Sequence, residues 1–206
     1  MTVDLFQPPW LWRTAQIDPP WLESGGGKSK RGADRHYPLM GVDDIAKTLL
    51  RSGSWLPAPD AHLWCWYTDN YLLDALTLIE RLGFRYVRTF VWVKCKGATK
   101  ALDLETGDAV DGEIEPRMSL GQYGRGVHES MLFCVRGNGL AVRTERRDLP
   151  SVFFAPVPTE DGVRVHSRKP DAAYELIEAR SKGPYAEFFA RRQRPNWTSW
   201  GNEIAA

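Results

Sequence analysis

The chain has 206 residues, 43% of them hydrophobic and 26% charged, with a formal net charge of +1. This is the ordinary balance of a soluble chain long enough for one domain with a sizeable core. It excludes a molecule that draws nucleic acid by its overall charge, so any such binding must come from a local basic patch. No apolar stretch approaches membrane-spanning length, and the N-terminus lacks the basic region and apolar run of a signal peptide. The three cysteines, Cys65, Cys95 and Cys134, each lie in an apolar stretch without CxxC or Cys/His ligand spacing. They read as reduced core thiols rather than disulfides or zinc ligands. A soluble protein of a reducing, cytoplasmic compartment is expected.

Residues 1–12 are irregular and rich in Pro and Trp. Thr14 to Ile17 reads as a short strand running into Asp18. Residues 22–37 are rich in Gly and Lys and form a loop, because that composition cannot pack a core. Asp43-Asp44 starts a helix whose apolar face is Ile45, Ala46, Leu49 and Leu50. His62 to Tyr67 fits a buried strand. Tyr71 to Leu82 is an amphipathic helix stopped by Gly83, and Thr89 to Val93 is another buried strand. Strand, helix, strand, helix, strand is the pattern of a parallel α/β sheet. Residues 95–127 lack clear periodicity and read as a long functional or partly disordered loop. Ser130 to Val135 is the next strand, and Arg136 to Arg147 a hairpin or exposed turn. Ser151 to Ala155 is a short strand, and Pro170 to Arg180 a helix with Ala173, Leu176 and Ile177 on one face. Tyr185 to Ala190 reads as a strand and residues 191–206 as a final loop and turn. One domain over residues 1–206 is expected, with no internal repeat or linker. Most of the nine tryptophans are expected in the core.

The strand end followed by Asp18-Pro19-Pro20-Trp21 is the most informative feature. An isolated Asp-Pro after a strand is an ordinary turn. Four such residues ending in an aromatic, at the carboxyl end of a strand of an α/β sheet, are placed where ligands bind. The group they suit is the exocyclic amine of adenine. Its N6 lone pair is delocalised into the ring, so the amine is a weak nucleophile. A carboxylate from Asp18 and a carbonyl from Pro19 can accept its two N–H bonds and turn the lone pair toward a methyl donor. The prolines pre-set the backbone. Trp21 offers a flat surface for stacking on the base.

Further segments follow in order. They are His36 to Met40, Leu63 to Trp66, Trp92 to Lys94, Gly121 to Arg125 with His128-Glu129, His166 to Pro170, Glu187 to Arg191, and Trp197 to Asn202. Together with the tetrapeptide, this ordered set resembles the MT-A70 family of adenine N6-methyltransferases, of prokaryotic or phage type. The resemblance implies a Rossmann-like class I methyltransferase fold, α/β with a mostly parallel sheet flanked by helices. It also implies permuted order, with the catalytic motif first and the cofactor motif late. It implies S-adenosylmethionine as cofactor and no metal. Catalytic roles fall to Asp18, Pro19, Pro20 and Trp21. Cofactor contacts fall to Asp18, to Lys169 near the methionine part, to Arg191 and Asn202 near ribose and adenosine, and to Glu203 beside them. Gln193 takes the place of a histidine or asparagine of larger members. For Lys169 the residues themselves leave a second reading open, a solvent-facing lysine before a helix.

The Gly25-Gly26-Gly27 run lacks Walker spacing and reads as a lid or nucleic-acid-facing loop. Lys28, Lys30, Arg31 and Arg35 make it basic, and with Tyr37 and Arg125 they are the candidate nucleic-acid contacts. Arg136, Arg143, Arg146 and Arg147 form a second basic segment that suits phosphates or solvent equally. His36 and His128 receive no catalytic role, since the amine's proton is acidic once the nitrogen is methylated. The expected partner is nucleic acid, with DNA favoured over RNA and no membrane; a homodimer is compatible with the chain. A base within a duplex must be flipped out. A non-catalytic nucleic-acid-binding subunit is the alternative from another class, and the intact tetrapeptide argues against it. A small-molecule or free-nucleotide methyltransferase is the third reading.

Overall fold

The computed structural model describes residues 10–22, 39–95, 124–165, 168–202 and 204. The apolar runs assemble into one seven-stranded sheet with helices on both faces. In chain order the elements are β1 (Trp12–Ile17), α1 (Val42–Arg51), β2 (Pro57–Tyr67), α2 (Leu72–Arg81), β3 (Arg85–Cys95) and β4 (His128–Arg136). There follow β5 (Val152–Pro156), a hairpin of β6 (Thr159–Glu160) and β7 (Val163–Arg164), α3 (Asp171–Arg180), β8 (Tyr185–Phe188) and β9 (Trp197–Trp200). The sheet order is β5-β3-β4-β2-β1-β8-β9. β1 pairs in parallel with β2 and β8, β8 with β9, and β3 with β5. Only β4, among the sheet strands, runs antiparallel to both neighbours. This mostly parallel α/β arrangement is consistent with a Rossmann-like methyltransferase fold.

Parallel strands carry helices on both sides, so their interior residues are apolar on both faces. On one face α1 and α2 bury Ile45, Leu49, Ala75, Leu78 and Ile79 against Trp12, Ile17, Leu63 and Cys65. On the other, α3 buries Ala173, Leu176 and Ile177 against Trp64, Trp66, Trp92 and Phe153. Trp12, Trp64, Trp66 and Trp92 are among the largest fully buried side chains, whereas Trp10 is exposed. All three cysteines are buried free thiols. No helix among the described residues is long and apolar enough to cross a membrane. Gly83 ends α2 as read, at φ 79°. The Gly83 and Phe84 N–H groups donate to the Glu80 and Ile79 carbonyls at 2.9 and 3.0 Å, a Schellman cap.

Three readings are corrected, and one element is added. Residues 191–206 are not all loop, because Trp197–Trp200 pairs with β8 as an edge strand too short to show a period. The strand read as Tyr185 to Ala190 stops at Phe188, since Phe189 takes φ 62° and turns the chain out of the sheet. Leu50 does not join the buried face of α1 and is 53% exposed. The hairpin at residues 159–164 was not anticipated. Its Asp161-Gly162 turn has φ of 49° and 76°, the positive pair of a type I′ turn.

His62 on β2 ties the sheet to the segments around it. Its Nε2 lies 2.7 Å from the Gly139 carbonyl, which can only accept, so Nε2 carries the proton. Nδ1 is then the acceptor for the Ser181 hydroxyl at 2.7 Å. Burial lowers this imidazole from its ordinary 6.5 to about 4. Below pH 6.5 the unfolded chain therefore binds a proton that the folded chain refuses. Stability falls as pH drops from 6.5 and the loss is complete near pH 4, by roughly 3 kcal/mol. Denaturant unfolding of the parent and of His62→Gln at pH 7 and pH 4.5 checks this. The parent is expected to lose more stability than the variant, and equal losses would refute the assignment.

Candidate active site

β1, β8 and β9 run parallel, side by side, and end together. The chain leaves β1 as Asp18-Pro19-Pro20-Trp21, β8 as Phe189-Ala190-Arg191 and β9 as Gly201-Asn202. Residues of these three exits, with Met40, with Thr48 and Leu49 of α1, and with Ser52 just after it, line a cavity of about 410 Å³. That size suits a small ligand, and the carboxyl ends of parallel strands are where such ligands bind.

Each exit is fixed by its own bonds. The Trp21 N–H donates to the Pro19 carbonyl at 2.9 Å, and the Met40 N–H to the Pro20 carbonyl at 2.7 Å. The Trp21 ring is 9% exposed, donates through Nε1 to the Trp66 carbonyl at 3.1 Å, and stacks on Tyr71 at 5.8 Å. It is thus a buried anchor for the loop with one face taken, rather than a plate open on both sides. The Ala190 N–H donates to the Trp200 carbonyl at 3.0 Å, which joins the exits of β8 and β9. Gly201 is required by that junction, because a Cβ there would overlap the Ala190 backbone oxygen and nitrogen. Gly201→Ala is expected to cost about 1–3 kcal/mol, as overpacking against backbone does. A thermal melt reads the loss, and an unchanged midpoint would show that the junction yields.

The charge at the cavity is organised around one lysine. Lys169 Nζ lies 3.0 Å from Asp18 Oδ2 and 3.0 Å from Glu129 Oε2, over the Trp66 ring at 5.0 Å. Lys94 Nζ meets the other Glu129 oxygen at 2.6 Å. With its side chain 8% exposed, Lys169 is not the solvent-facing lysine that one reading allowed. Burial works to lower the Lys169 ammonium, but Asp18 and Glu129 outweigh it and raise it. Burial works to raise the Glu129 carboxyl, but Lys169 and Lys94 bring it down to about 2. Asp18 is raised: burial dominates, although Lys169 and Arg191 oppose it. Nearby, Glu187 pairs across the sheet with Gln16, accepts from its amide at 3.1 Å and from the Tyr174 hydroxyl at 2.7 Å. Burial pushes its carboxyl up to about 7.

Of the residues singled out in the sequence, Asp18, Pro20, Arg191 and Asn202 meet at the cavity. Pro19 and Trp21 shape its first loop, and Lys169 holds Asp18 from the α3 side. Gln193 is exposed and does not line the cavity. Arg125 is exposed ahead of β4. Lys28, Lys30, Arg31, Arg35, Tyr37 and Glu203 lie outside the described residues. Sequence reasoning did not select Glu129 or Lys94. Each sits in a quoted segment, but their pairing shows only once β3 and β4 are in register, with Trp92 opposite Glu129. Phe189, Thr48 and Ser52 also line the cavity and gave no polar pattern to find. Gly201, directly after an aromatic strand end, was the one readable signal among the residues missed.

The chain was compared with known proteins. The MT-A70 family profile matches residues 14–203. The chain is similar to the Homo sapiens protein named "N(6)-adenine-specific methyltransferase METTL4", 49% identical over 41 residues, 19% of this chain and 9% of that protein. It is also similar to the Medicago truncatula protein named "Putative N(6)-adenosine-methyltransferase MT-A70-like", 25% identical over 196 residues, 91% of this chain and 26% of that protein. It thus spans a minor part of either relative's length. The family match runs from β1 to beyond β9 and contains every exit that lines the cavity, and on that match the chain belongs to the MT-A70 family.

Proposed function

We propose that this chain methylates the N6 amine of adenine in nucleic acid, using S-adenosylmethionine. The observation that carries the reading is Asp18, held by Lys169, at the edge of a small-ligand cavity formed where three parallel strands end. The cavity fits the cofactor by its chemistry. The Asp18 carboxylate suits an ammonium, Arg191 and Asn202 suit hydroxyls and ring nitrogens, and Phe189 and Trp200 offer apolar walls. When bound, S-adenosylmethionine supplies an electrophilic methyl group on sulfonium sulfur.

The protein's part is to bind and orient. Lys169 takes Oδ2 of Asp18 and leaves Oδ1 to accept one N–H of the adenine amine. The Pro19 carbonyl already receives the Trp21 N–H, but a carbonyl has two lone pairs and can accept the second amine N–H. Two fixed acceptors localise the nitrogen lone pair and aim it at the methyl group, which gives much of the available acceleration through orientation. A nitrogen that received the methyl group would have a proton to shed. That proton is acidic on a methylated nitrogen, so a carboxylate such as Asp18, raised by burial, is base enough.

The finer proposal is DNA ahead of RNA, and it rests on the family resemblance alone. Labelled-methyl transfer to DNA, to RNA of the same sequence and to free adenosine tests it. Incorporation into DNA in excess of RNA is expected. Label in free adenosine alone would overturn the nucleic-acid reading, and no binding of S-adenosylmethionine by calorimetry would overturn the enzyme reading.

A further inference from the structure

The sheet has two ends, and the cavity occupies one of them. At the opposite end, where the parallel strands begin, arginines gather. Arg136 closes β4 opposite Ala61 of β2, and Arg88 lies on the early part of β3. The segment after β4 brings Arg143, Arg146 and Arg147, and α3 ends at Arg180. The segment after β4 and the end of α3 are tied together. Arg143 bridges to Ser181, the Thr144 N–H donates to the Arg180 carbonyl at 3.0 Å, and Arg180 Nη1 donates to the Arg146 carbonyl at 2.9 Å. The Thr14 hydroxyl donates to the Lys182 carbonyl at 2.8 Å, which fixes the cluster at the start of β1.

The positive charge there is not balanced locally. Asp148 is taken by Arg146 through two bonds of 2.8 and 3.0 Å. Asp60, which accepts from the Asn138 N–H at 2.7 Å, and the exposed Glu145 bring the local carboxylates among the described residues to three, against the six guanidinium groups of Arg88, Arg136, Arg143, Arg146, Arg147 and Arg180. Burial and the fields of Arg143, Arg88 and Arg146 all disfavour the charge on Arg180, against Asp148. Arg143 Nε is buried without a hydrogen-bond partner among the described residues. Arg88, Arg136 and Arg147 are exposed. A chain of net charge +1 that concentrates guanidinium groups in this way has a local field, not a global one. A cation at the C-terminus of α3 accounts for Arg180 alone; it does not account for Arg88, Arg143 and Arg147 beside it.

We propose that this end of the sheet is a second contact surface, where Arg88, Arg136, Arg143 and Arg147 take up backbone phosphates of the polynucleotide whose adenine enters at Asp18. The proposal rests on the nucleic-acid reading above and extends it to substrate length. β1 has 6 residues and so places the two ends about 20 Å apart. At about 3.4 Å per nucleotide along a strand, the surface meets phosphates roughly six nucleotides from the target adenine. Short substrates cannot reach it and long ones can.

The test compares the parent with Arg88→Glu/Arg136→Glu/Arg147→Glu. These side chains are exposed and outside the cavity, and an unchanged melt confirms the fold. Substrates are oligonucleotides of about 8 and about 40 nucleotides with a central adenine, as DNA and as RNA. For the polymer that the parent methylates, KM on the long substrate is expected to rise about tenfold or more, with kcat unchanged. The slope of log KM against log salt is expected to fall by about two to three, and the short substrate to be unaffected. Equal effects on both lengths, or none on the long one, would overturn the second surface and leave the nucleic-acid reading standing. A parent protein that binds neither long polymer would overturn both, and that result is seen without any substitution.

Discussion

Asp18→Ala is expected to lower kcat by about 10²–10³-fold, the usual loss when one pre-organised charged or dipolar group is removed from a reacting centre. KM for the nucleic acid is expected to change much less, because the variant removes an acceptor that matters most while the nitrogen rehybridises. The fold is expected to survive. Asp18 lies past the end of β1, and Lys169 keeps Glu129 as a partner at 3.0 Å. The parent should also show an acid limb in kcat, since Asp18 accepts only when ionised. Burial raises this carboxyl, so the limb lies above the ordinary aspartate value of 3.8. A pH profile of single-turnover rates checks the limb, and a limb at or below that value would contradict the burial argument. Full activity in Asp18→Ala would remove it from the chemistry.

Lys169→Met is expected to produce the largest loss of stability, about 3–5 kcal/mol, because it leaves two nearly buried carboxylates without their shared cation. Lys94 still meets Glu129, but among the described residues Asp18 keeps the more distant field of Arg191. The sign of the pH dependence separates this from a simple packing defect. In the parent, the Glu129 carboxyl is depressed to about 2, so its contribution is present above pH 4.5 and is lost as pH falls through 2. In the variant, the orphaned Asp18 carboxylate prefers to bind a proton, so the variant's deficit relative to the parent should shrink as pH is lowered from 7 toward 5. Chemical denaturation across that range reads the effect. A variant that is destabilised equally at pH 7 and pH 5 would assign the loss to packing.

Much of the fold was legible because strands buried on both faces write continuous apolar runs, such as His62 to Tyr67 and Ser130 to Val135. Gly83 was legible because only a residue tolerant of positive φ ends a helix with that pair of bonds. What escaped was set by tertiary geometry. Phe189 leaves the sheet at positive φ despite a bulky side chain, and nothing local demands it. β9 exists because β8 offers it an edge. At the site, Asp18 announced itself through its proline-rich loop, while Glu129 did not, since its role depends on Lys94 and Lys169 arriving from β3 and from the entry to α3. Trp21 was read for its flat face, but its packing on Tyr71 and its bond to Trp66 belong to β2 and the turn after it.

The most direct measurement is the identity of the product. Nucleic acid incubated with the protein and methyl-labelled S-adenosylmethionine is digested to nucleosides and resolved by mass spectrometry. Label is expected in N6-methyladenosine or its deoxy form, at a rate that falls about 10²–10³-fold in Asp18→Ala. Label on another atom or base, or equal N6 label with the variant, would contradict the proposed function.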